Sequence, residues 1–445
     1  MCILCFNPPM DSNSIENSPK TVSFHTLGCK LNFSETGHIA QGFKERNYSI
    51  VPWGEQANVT FINTCTVTDS ADSSCRNIIR AAKRFSPQGT IVVAGCMSQI
   101  SPQKIAEIPG VDLVLGTHEK HRVFEYLEED LEEGPKIHIN KSNEFWGAKS
   151  GMEGDSKTRA FLKIQDGCNY VCSFCIIPFA RGRSRCISLD LAKEQISELI
   201  KANKKEIVIT GVNIGEFHGE KGEDLADFIQ QVWDPTSKVL LRMSSMEPNT
   251  ITEKLLKVLK DIPTFQDHFH IPLQAGSDKV LSLMKRKYTV QRYKEAILLI
   301  RKYFPNSGVG GDIIVGHPGE EEEDFQQTLE LVKELNLTHL HVFPYSRRKG
   351  TVSDKMVEQV PAQVKKKRSS ILRTLGDQLK LQWIEQQIKE NPFQNVLLES
   401  ENEGYTSNYI KVRYVKDEGK VNEIVKLRLF KGEGLEVMGS PFFVQ

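Results

Sequence analysis

The sequence predicts an α/β protein in three parts: an N-terminal parallel α/β sheet domain, a partial (β/α)6 barrel, and a small all-β barrel at the C-terminal end. Two long stretches, in which short β-rich runs alternate with helix-length segments, predict the first two parts. The third part follows from residues 393–445, which alternate like β-strands and have glycines at predicted turns. A chain of 445 residues exceeds what one core usually covers, so several domains are expected.

The first alternating stretch places cysteines at the ends of consecutive strands. The predicted strands are residues 21–26, 58–63, 90–94 and 112–115. The first three strands lead into Cys29, Cys65 and Cys96. Because ligands of open parallel sheets bind outside the carboxyl ends of the strands, these thiols are expected to converge and to hold an iron–sulfur cluster. Three separate core cysteines are the alternative, and Cys75 is interpreted as structural.

The second alternating stretch predicts the six strands of the barrel. They are residues 160–164, 206–210, 238–243, 268–272, 310–315 and 339–344. Cys168, Cys172 and Cys175 follow the first of these strands, at the mouth where barrel active sites lie. Their spacing, C-x3-C-x2-C, offers a cluster three thiolates and leaves one iron open to a small molecule. A zinc site and three packed thiols are the alternatives.

A basic segment joins the barrel to the last module. Residues 363–390 are predicted to form one long helix, and residues 346–380 carry ten basic and three acidic side chains. Such a stretch indicates either a contact with nucleic acid or a solvated helix face. The module that follows looks like a barrel of OB-like kind, which is a common RNA reader.

Taken in this order, the three parts resemble the radical S-adenosylmethionine (SAM) methylthiotransferase family over nearly the whole chain. The C-x3-C-x2-C signature, with Phe174 just before its last cysteine, carries part of the likeness. Residues 28–32, Gly-Cys-Lys-Leu-Asn, and residues 178–185, Pro-Phe-Ala-Arg-Gly-Arg-Ser-Arg, are similar to the branch that acts on N6-threonylcarbamoyladenosine in tRNA. Two positions depart from the family pattern: Cys186, where a serine is more usual, and His317, where an aromatic residue is more usual.

The resemblance implies a division into domains. A disordered extension over residues 1–20 is expected to precede them. The domains are an auxiliary-cluster domain at 21–130, a radical SAM core at 155–385 and a TRAM domain at 386–445. The polar segment 131–155 is predicted to be a connector.

The resemblance also implies the chemistry. Two [4Fe-4S] clusters and SAM would convert N6-threonylcarbamoyladenosine, next to the anticodon of tRNA, to its 2-methylthio derivative. The cluster on the barrel cysteines would cleave SAM to a 5′-deoxyadenosyl radical, and the auxiliary cluster on Cys29, Cys65 and Cys96 would hold the sulfur. The implied partners are tRNA, SAM and an electron donor such as a flavodoxin or ferredoxin.

Residues at the barrel mouth are the candidates for binding SAM. They are Phe174, Gly211, Asn213, Ser245, Glu247 and Gln274. For those other than Phe174, a turn or helix-cap role is the alternative. Arg181, Arg183 and Arg185 are candidates for binding substrate phosphates or the threonylcarbamoyl carboxylate, because the guanidinium group suits such anions. Ion pairing with acids on helices is the alternative for these arginines.

Composition narrows the class of protein. Ten cysteines in 445 residues are too dilute for a disulfide scaffold, and their clustering points to metal in a reducing compartment, so a cytoplasmic protein is expected. Since no apolar run approaches the length that spans a bilayer, no membrane helix is expected. The 57 basic and 57 acidic side chains neither require nor exclude nucleic acid. Three alternative functions stay open: methylthiolation of N6-isopentenyladenosine, methylthiolation of an aspartate in a ribosomal protein, and a non-catalytic iron–sulfur protein that binds RNA.

Overall fold

The structure is a computed structural model, and it describes residues 19–66, 69–129, 134–142, 144–149, 158–415 and 421–441. The extension predicted to be disordered, residues 1–20, lies almost entirely outside the described residues. Within the described part, no helix is long and apolar enough to cross a membrane. The predicted α/β fold class, with two alternating domains and a C-terminal β-barrel, is confirmed.

The N-terminal domain is a six-stranded parallel sheet. Its strands are β1 (Thr21–Thr26), β2 (Ser49–Ile50), β3 (Val59–Thr64), β4 (Thr90–Gly95), β5 (Leu113–Leu115) and β6 (Lys136–His138). Its helices are α1 (Lys30–Glu45), α2 (Asp69–Phe85), α3 (Cys96–Ile100), α4 (Pro102–Ala106) and α5 (Val123–Tyr126). The strand order is β2-β1-β3-β4-β5-β6. Both faces bury apolar side chains in separate clusters, as a parallel sheet covered by helices requires.

Part of the predicted connector is strand, so that prediction is wrong there. β6 lies within residues 131–155 and pairs with β5 in parallel register. Another short strand, β7 (Ala148–Lys149), pairs antiparallel with the first strand of the barrel. Both strands are too short to show a pattern of their own, and pairing with a neighbouring strand forms them.

The barrel consists of two sheets that meet at one weak junction. Its strands are β8 (Arg159–Lys163), β9 (Gln165–Asp166), β10 (Arg185–Cys186), β11 (Glu206–Thr210), β12 (Leu240–Met243), β13 (His268–His270), β14 (Gly308–Val315) and β15 (His339–Pro344). One sheet has the order β12-β11-β8-β7 and the other β13-β14-β15, while β9 and β10 form a separate ribbon at the mouth. An isolated bridge between Leu241 and Phe265 joins the two sheets. The six main strands are all parallel, as expected for a partial (β/α)6 barrel.

Helix α6 (Ile177–Arg181) lies at the mouth of the barrel and packs against α3 of the N-terminal domain. The remaining helices of this domain cover the outside of the barrel. They are α7 (Leu189–Lys201), α8 (Leu225–Val232), α9 (Glu253–Lys260), α10 (Asp278–Leu283), α11 (Val290–Tyr303), α12 (Glu322–Glu334) and α13 (Ala362–Glu390). The last of them, α13, belongs to two cores. Leu372 and Leu379 pack in the core of the barrel, whereas Trp383 and Ile384 pack in the core of the C-terminal module.

The C-terminal module is a closed five-stranded barrel that covers the N-terminal end of the larger barrel. Its strands are β16 (Phe393–Leu398), β17 (Glu403–Thr406), β18 (Lys411–Tyr414), β19 (Ile424–Lys431) and β20 (Val437–Pro441), in the order β16-β17-β18-β20-β19. Tyr409, in the loop after β17, stacks on His268 at 4.5 Å between ring centroids. Arg242 lies over the same Tyr409 ring at 4.9 Å, and Arg159 lies over Tyr405 at 4.8 Å. The larger barrel is therefore closed at this end and accessible from its C-terminal mouth.

Candidate active site

The barrel cysteine loop follows β9 and is fixed by main-chain hydrogen bonds. Cys172 is buried, and Cys168 and Cys175 are partly exposed. The N–H of Ser173 donates to the carbonyl of Met284 at 3.0 Å, and the N–H of Ser353 donates to the carbonyl of Ser173 at 2.8 Å. The loop is thus held from two other segments of the chain while its thiols face the mouth.

Glycine is required just before this loop. Gly167 has a φ of +72°, and a Cβ atom there would lie 2.0 Å from the carbonyl oxygen of Arg183. Only glycine permits this approach without strain. The residue therefore lets the chain turn sharply from β9 into Cys168.

His317, one of the two departures from the family pattern, is hydrogen-bonded to the barrel cysteine loop. It is fully buried, and its Nε2 accepts a hydrogen bond from the Ser173 hydroxyl at 3.0 Å. Its Nδ1–H donates to the carbonyl of Pro318 at 2.9 Å, which fixes the tautomer. Burial lowers the pKa of His317 to about 4, so the ring is neutral. His317 thus orients the loop without adding charge to it.

Arg286 is a functional residue that the sequence did not indicate. Its Nη1 donates to the sulfur of Cys172 at 3.1 Å, and its Nη2 pairs with the carboxylate of Glu247. Burial raises the pKa of Glu247, and Arg286 opposes that shift. Arg286 therefore neutralises Glu247 and offers a charged hydrogen bond to the sulfur of Cys172.

The second cysteine set lies at the carboxyl ends of three adjacent strands. Cys29 precedes α1, Cys65 follows β3, and Cys96 begins α3 directly after β4. The strands are neighbours, because β1 pairs with β3 and β3 pairs with β4. Gly28, with a φ of +101°, lies so close to Cys65 that a Cβ atom would be 2.7 Å from the Cys65 Cβ. The sequence around Cys29 thus folds directly against the second cysteine.

The donor atoms of each three-cysteine set are chemically suited to an iron–sulfur cluster. Three soft thiolates without a fourth protein ligand suit a cluster with one open iron.

A cavity of about 200 Å³ lies beside the barrel cysteines. Its lining includes Phe174 and Cys175 from the loop, Gln274 from the segment after β13, Asp312 from β14, and the aromatic ring of Phe343. Gln274 has a φ of +65°, which is unusual for a residue other than glycine. Its main chain is held there by hydrogen bonds with Asp312 and Ile314. A strained residue fixed in this way at a cavity is typical of a ligand site.

Two of the SAM candidates carry buried polar atoms that lack a partner. The side-chain oxygen of Gln274 and both polar side-chain atoms of Asn213 make no hydrogen bond in the described part of the chain. Buried polar atoms are nearly always satisfied in folded proteins. These amides are therefore available to a ligand at the mouth of the barrel.

The other SAM candidates are engaged within the protein. The Ser245 hydroxyl lies 2.7 Å from Nδ1 of His270, whose Nε2 lies 3.2 Å from Oδ1 of Asp312. Glu247 pairs with Arg286 as described. Gly211 lies against Gln165, because a Cβ atom at residue 211 would be 2.9 Å from the Gln165 carbonyl oxygen.

Two of the three candidate arginines are buried in ion pairs. Arg181 is paired with Glu35 of α1 and with Asp166, and Arg185 is paired with Asp166. The pair of Arg181 with Glu35 is the alternative that the sequence left open, whereas Asp166 lies on strand β9 and not on a helix. Arg183 is exposed, so it is the arginine of the three that a substrate can reach.

The basic segment 346–380 divides into buried and exposed cations. Arg368 is buried and pairs with Glu320 at 2.6 Å and with Glu322 at 3.1 Å. Lys366 and Lys367, which precede it on α13, are exposed. A contact with RNA at this segment would therefore use the exposed lysines and leave Arg368 in place.

Comparison with known families agrees with this arrangement of domains. Residues 162–332 match the radical SAM superfamily, and residues 21–116 match the family described as "Uncharacterized protein family UPF0004". The two matches cover the barrel and the N-terminal sheet. In a comparison with solved structures, the chain is similar to a radical S-adenosylmethionine methyltransferase, TsrM, from Kitasatospora setae, with a TM-score of 0.55. That similarity has 13% sequence identity and covers 76% of this chain and 77% of the other, so it concerns the fold alone.

Curated relatives match the chain over most of its length. The threonylcarbamoyladenosine tRNA methylthiotransferase MtaB of Bacillus subtilis is 40% identical over 92% of this chain and 94% of the relative. The protein of the same name from Aquifex aeolicus is 36% identical over 91% of this chain and 99% of the relative. The tRNA-2-methylthio-N(6)-dimethylallyladenosine synthase of Clostridium tetani is 33% identical over 79% of this chain and 80% of the relative.

Proposed function

Because the chain belongs to the radical SAM methylthiotransferase family, and is similar to its MtaB members over nine-tenths of its length, we propose that it methylthiolates N6-threonylcarbamoyladenosine in tRNA. The product is the 2-methylthio derivative of that nucleoside. Relatives of the threonylcarbamoyl type reach 40% identity, whereas the relative from Clostridium tetani that acts on dimethylallyladenosine reaches 33%.

One observation carries the proposal: a cavity lined by the unpartnered side-chain oxygen of Gln274 lies beside one three-cysteine set, and a second set lies on the domain docked against the same barrel. Each set is proposed to hold one [4Fe-4S] cluster. With SAM and one electron, such a cluster supplies the radical chemistry needed at an unactivated carbon. The residues of the chain position the reactants: Phe174 and Gln274 line the cavity, and Tyr405 and Tyr409 close the opposite end of the barrel against water.

A cation beside Cys29 supports the threonylcarbamoyl branch. Lys30 is accessible to solvent and has no ion-pair partner among the residues that the structure describes. Desolvation by the surrounding protein lowers its pKa to about 8, so the ammonium form still predominates at neutral pH. The threonylcarbamoyl group carries a carboxylate, whereas the isopentenyl group is apolar. An ammonium group without an ion-pair partner, on the residue that follows Cys29, stabilises the former and offers nothing to the latter.

The partners follow from the same chemistry. tRNA is proposed to contact the exposed lysines of α13 through its phosphates. An electron donor of the flavodoxin or ferredoxin type is proposed to reduce the cluster on Cys168, Cys172 and Cys175.

The test uses purified protein with anaerobically reconstituted clusters, SAM, a chemical reductant and three forms of one tRNA: unmodified, threonylcarbamoylated and isopentenylated. Mass spectrometry of the digested nucleosides should show the methylthio product only from the threonylcarbamoylated tRNA. Equal turnover of the isopentenylated tRNA would place the chain in the other branch. Formation of 5′-deoxyadenosine without a methylthio product on any of the three would show that the substrate is a different molecule.

A further inference from the structure

Six charged side chains form a buried network between the N-terminal domain and the barrel. They are Glu35 and Lys120 from the first domain and Lys163, Asp166, Arg181 and Arg185 from the second. The exposed fraction of these side chains is 7% or less. We call this group the interdomain network.

Glu35 is the centre of the interdomain network. Both of its oxygens accept hydrogen bonds from Arg181, at 2.9 Å each. Lys163 Nζ lies 3.0 Å from Oε1 of Glu35, and Lys120 pairs with its Oε2. One carboxylate of the N-terminal domain thus faces three cations.

Asp166 is the second carboxylate. Its Oδ1 lies 3.0 Å from Nη1 of Arg181, and its Oδ2 lies 3.0 Å from Nη2 of Arg185 and 3.2 Å from Nζ of Lys163. No third carboxylate pairs with the network in the described residues. Four cations therefore face two carboxylates, which leaves an excess of two positive charges in the protein interior.

Two cations of the interdomain network lie close to the auxiliary cysteines. Arg181 donates to the Asn32 side-chain oxygen at 2.6 Å, three residues after Cys29. Lys120 donates to the Asn63 side-chain oxygen at 3.2 Å, two residues before Cys65. Both cations also lie within electrostatic reach of Cys96, where they oppose the burial that raises the pKa of its thiol. Buried charge without a counter-charge is costly, so an anionic group is expected here.

The barrel cysteines face a different charge balance. Arg286 is the cation that contacts Cys172, and it is itself paired with Glu247. That pair carries no net charge. Glu216 adds a negative charge near Cys168, where it acts together with burial to raise the pKa of that thiol. The groups that contact the barrel cysteines therefore carry no positive excess.

We propose that the interdomain network raises the reduction potential of the cluster on Cys29, Cys65 and Cys96. This inference rests on the two-cluster part of the proposed function. A positive excess in the low-dielectric interior stabilises the added electron of a reduced cluster, and net charge and hydrogen bonds around the ligands are what set such potentials.

The experiment measures the potential of the auxiliary cluster alone. The parent for all variants is the chain with Cys168, Cys172 and Cys175 replaced by alanine, titrated with a reductant and monitored by electron paramagnetic resonance. Lys120→Met removes one cation yet leaves Glu35 paired with Arg181 and Lys163. We expect the reduction equilibrium to become less favourable by about tenfold, which is about 59 mV for a one-electron couple. Glu35→Gln removes a negative charge and should shift the potential in the opposite direction.

The controls distinguish an effect of charge on the reduction potential from an effect of packing. Lys104→Met, the same substitution at an exposed lysine of α4, should leave the potential unchanged. A network that only supports the fold would give no shift, or shifts of the same sign in Lys120→Met and Glu35→Gln, and either result overturns the inference. Iron analysis accompanies each titration, and if Lys120→Met loses its cluster, Glu35→Gln decides the question. A parent that binds no cluster would refute the two-cluster proposal and this inference with it.

Discussion

Individual residues at the barrel mouth have buried polar atoms without hydrogen bonds, and a ligand could remove the energetic cost of leaving them unsatisfied. The amides of Gln274 and Asn213 are buried and lack partners in the described part of the chain. An unsatisfied buried polar group costs about 1–3 kcal/mol. The main chain of Gln274 is held by Asp312 and Ile314, and the N–H of Asn213 donates to the Gln165 side chain. Because both residues are fixed in this way, the cost persists until a ligand supplies the missing hydrogen bonds.

Replacing Gln274 tests this interpretation. Gln274→Met removes the amide at nearly constant volume, so we expect the dissociation constant for SAM to rise about tenfold. The stability of the SAM-free protein should be equal or higher, because an unsatisfied buried group is removed. Equilibrium binding of SAM and thermal unfolding without SAM measure the two effects. Gln378→Met, at an exposed position of α13, is the matched control, and unchanged SAM affinity in Gln274→Met would exclude this contact.

Breaking the ion pair between Arg286 and Glu247 is expected to lower the stability of the protein, in contrast to Gln274→Met. Both side chains are nearly buried, with 4% and 11% exposed. Arg286→Met leaves the Glu247 carboxylate without its partner, so we expect a loss of about 3–5 kcal/mol in the free energy of unfolding. Arg286→Met combined with Glu247→Gln should recover part of that loss. Denaturant unfolding of the cluster-free protein measures both, and a double variant no more stable than the single one would contradict the pairing.

Among the elements, α13 determines how the C-terminal module is joined to the barrel. It contributes Leu372 and Leu379 to one core and Trp383 and Ile384 to the other, so a single rigid helix connects the two. Its inner face also carries a cation, because Arg368 pairs with Glu320. The basic character of the sequence therefore overstates the charge that this helix presents to a partner.

The exposed lysines of α13 predict the salt dependence of tRNA binding. Lys366→Gln combined with Lys367→Gln should weaken binding and flatten the plot of log affinity against log salt by roughly 0.7–0.9 for each phosphate that the protein no longer neutralises. SAM cleavage without tRNA should not change, because these residues lie outside the cavity. Filter binding at several salt concentrations measures the slope. The control is Lys193→Gln with Lys201→Gln on α7, and an equal effect of both pairs would show that the charge of α13 is not specific.

At the scale of the whole molecule, alternation along the chain was sufficient to predict the layers of the fold. The predicted strands 21–26, 206–210 and 339–344 coincide with β1, β11 and β15. β11 is buried along its whole length, as expected for a parallel strand that is covered on both faces. The short strands β2, β6 and β7 were missed, since two or three residues carry no periodicity. The junction between β12 and β13 also depends on packing that no local pattern shows.

The candidate site also has parts that the sequence predicted and parts that it did not. Cysteine spacing and strand ends indicated both three-cysteine sets, because those features are local. The interdomain network is not local: Lys120 and Arg181 meet Glu35 across 85 and 146 residues of sequence. Charged residues are ordinarily exposed, so nothing in the sequence distinguishes Glu35 from a surface acid. Arg286 was missed for the same reason, because its partner Cys172 lies 114 residues away.

The two cysteine sets predict a division of labour that iron analysis and product analysis can separate. The intact protein should hold about eight irons, and loss of either set should leave about four, since each set is proposed to hold one four-iron cluster. The variant without Cys29, Cys65 and Cys96 should still form 5′-deoxyadenosine when reduced, because the barrel cavity and the Arg286 contact with Cys172 do not involve these residues. It should form no methylthio product. Cys186→Ser, at a partly exposed cysteine outside both sets, should keep about eight irons and full activity. If the variant without the auxiliary cysteines kept its barrel cluster and yet failed to cleave SAM, the two sets would not act independently.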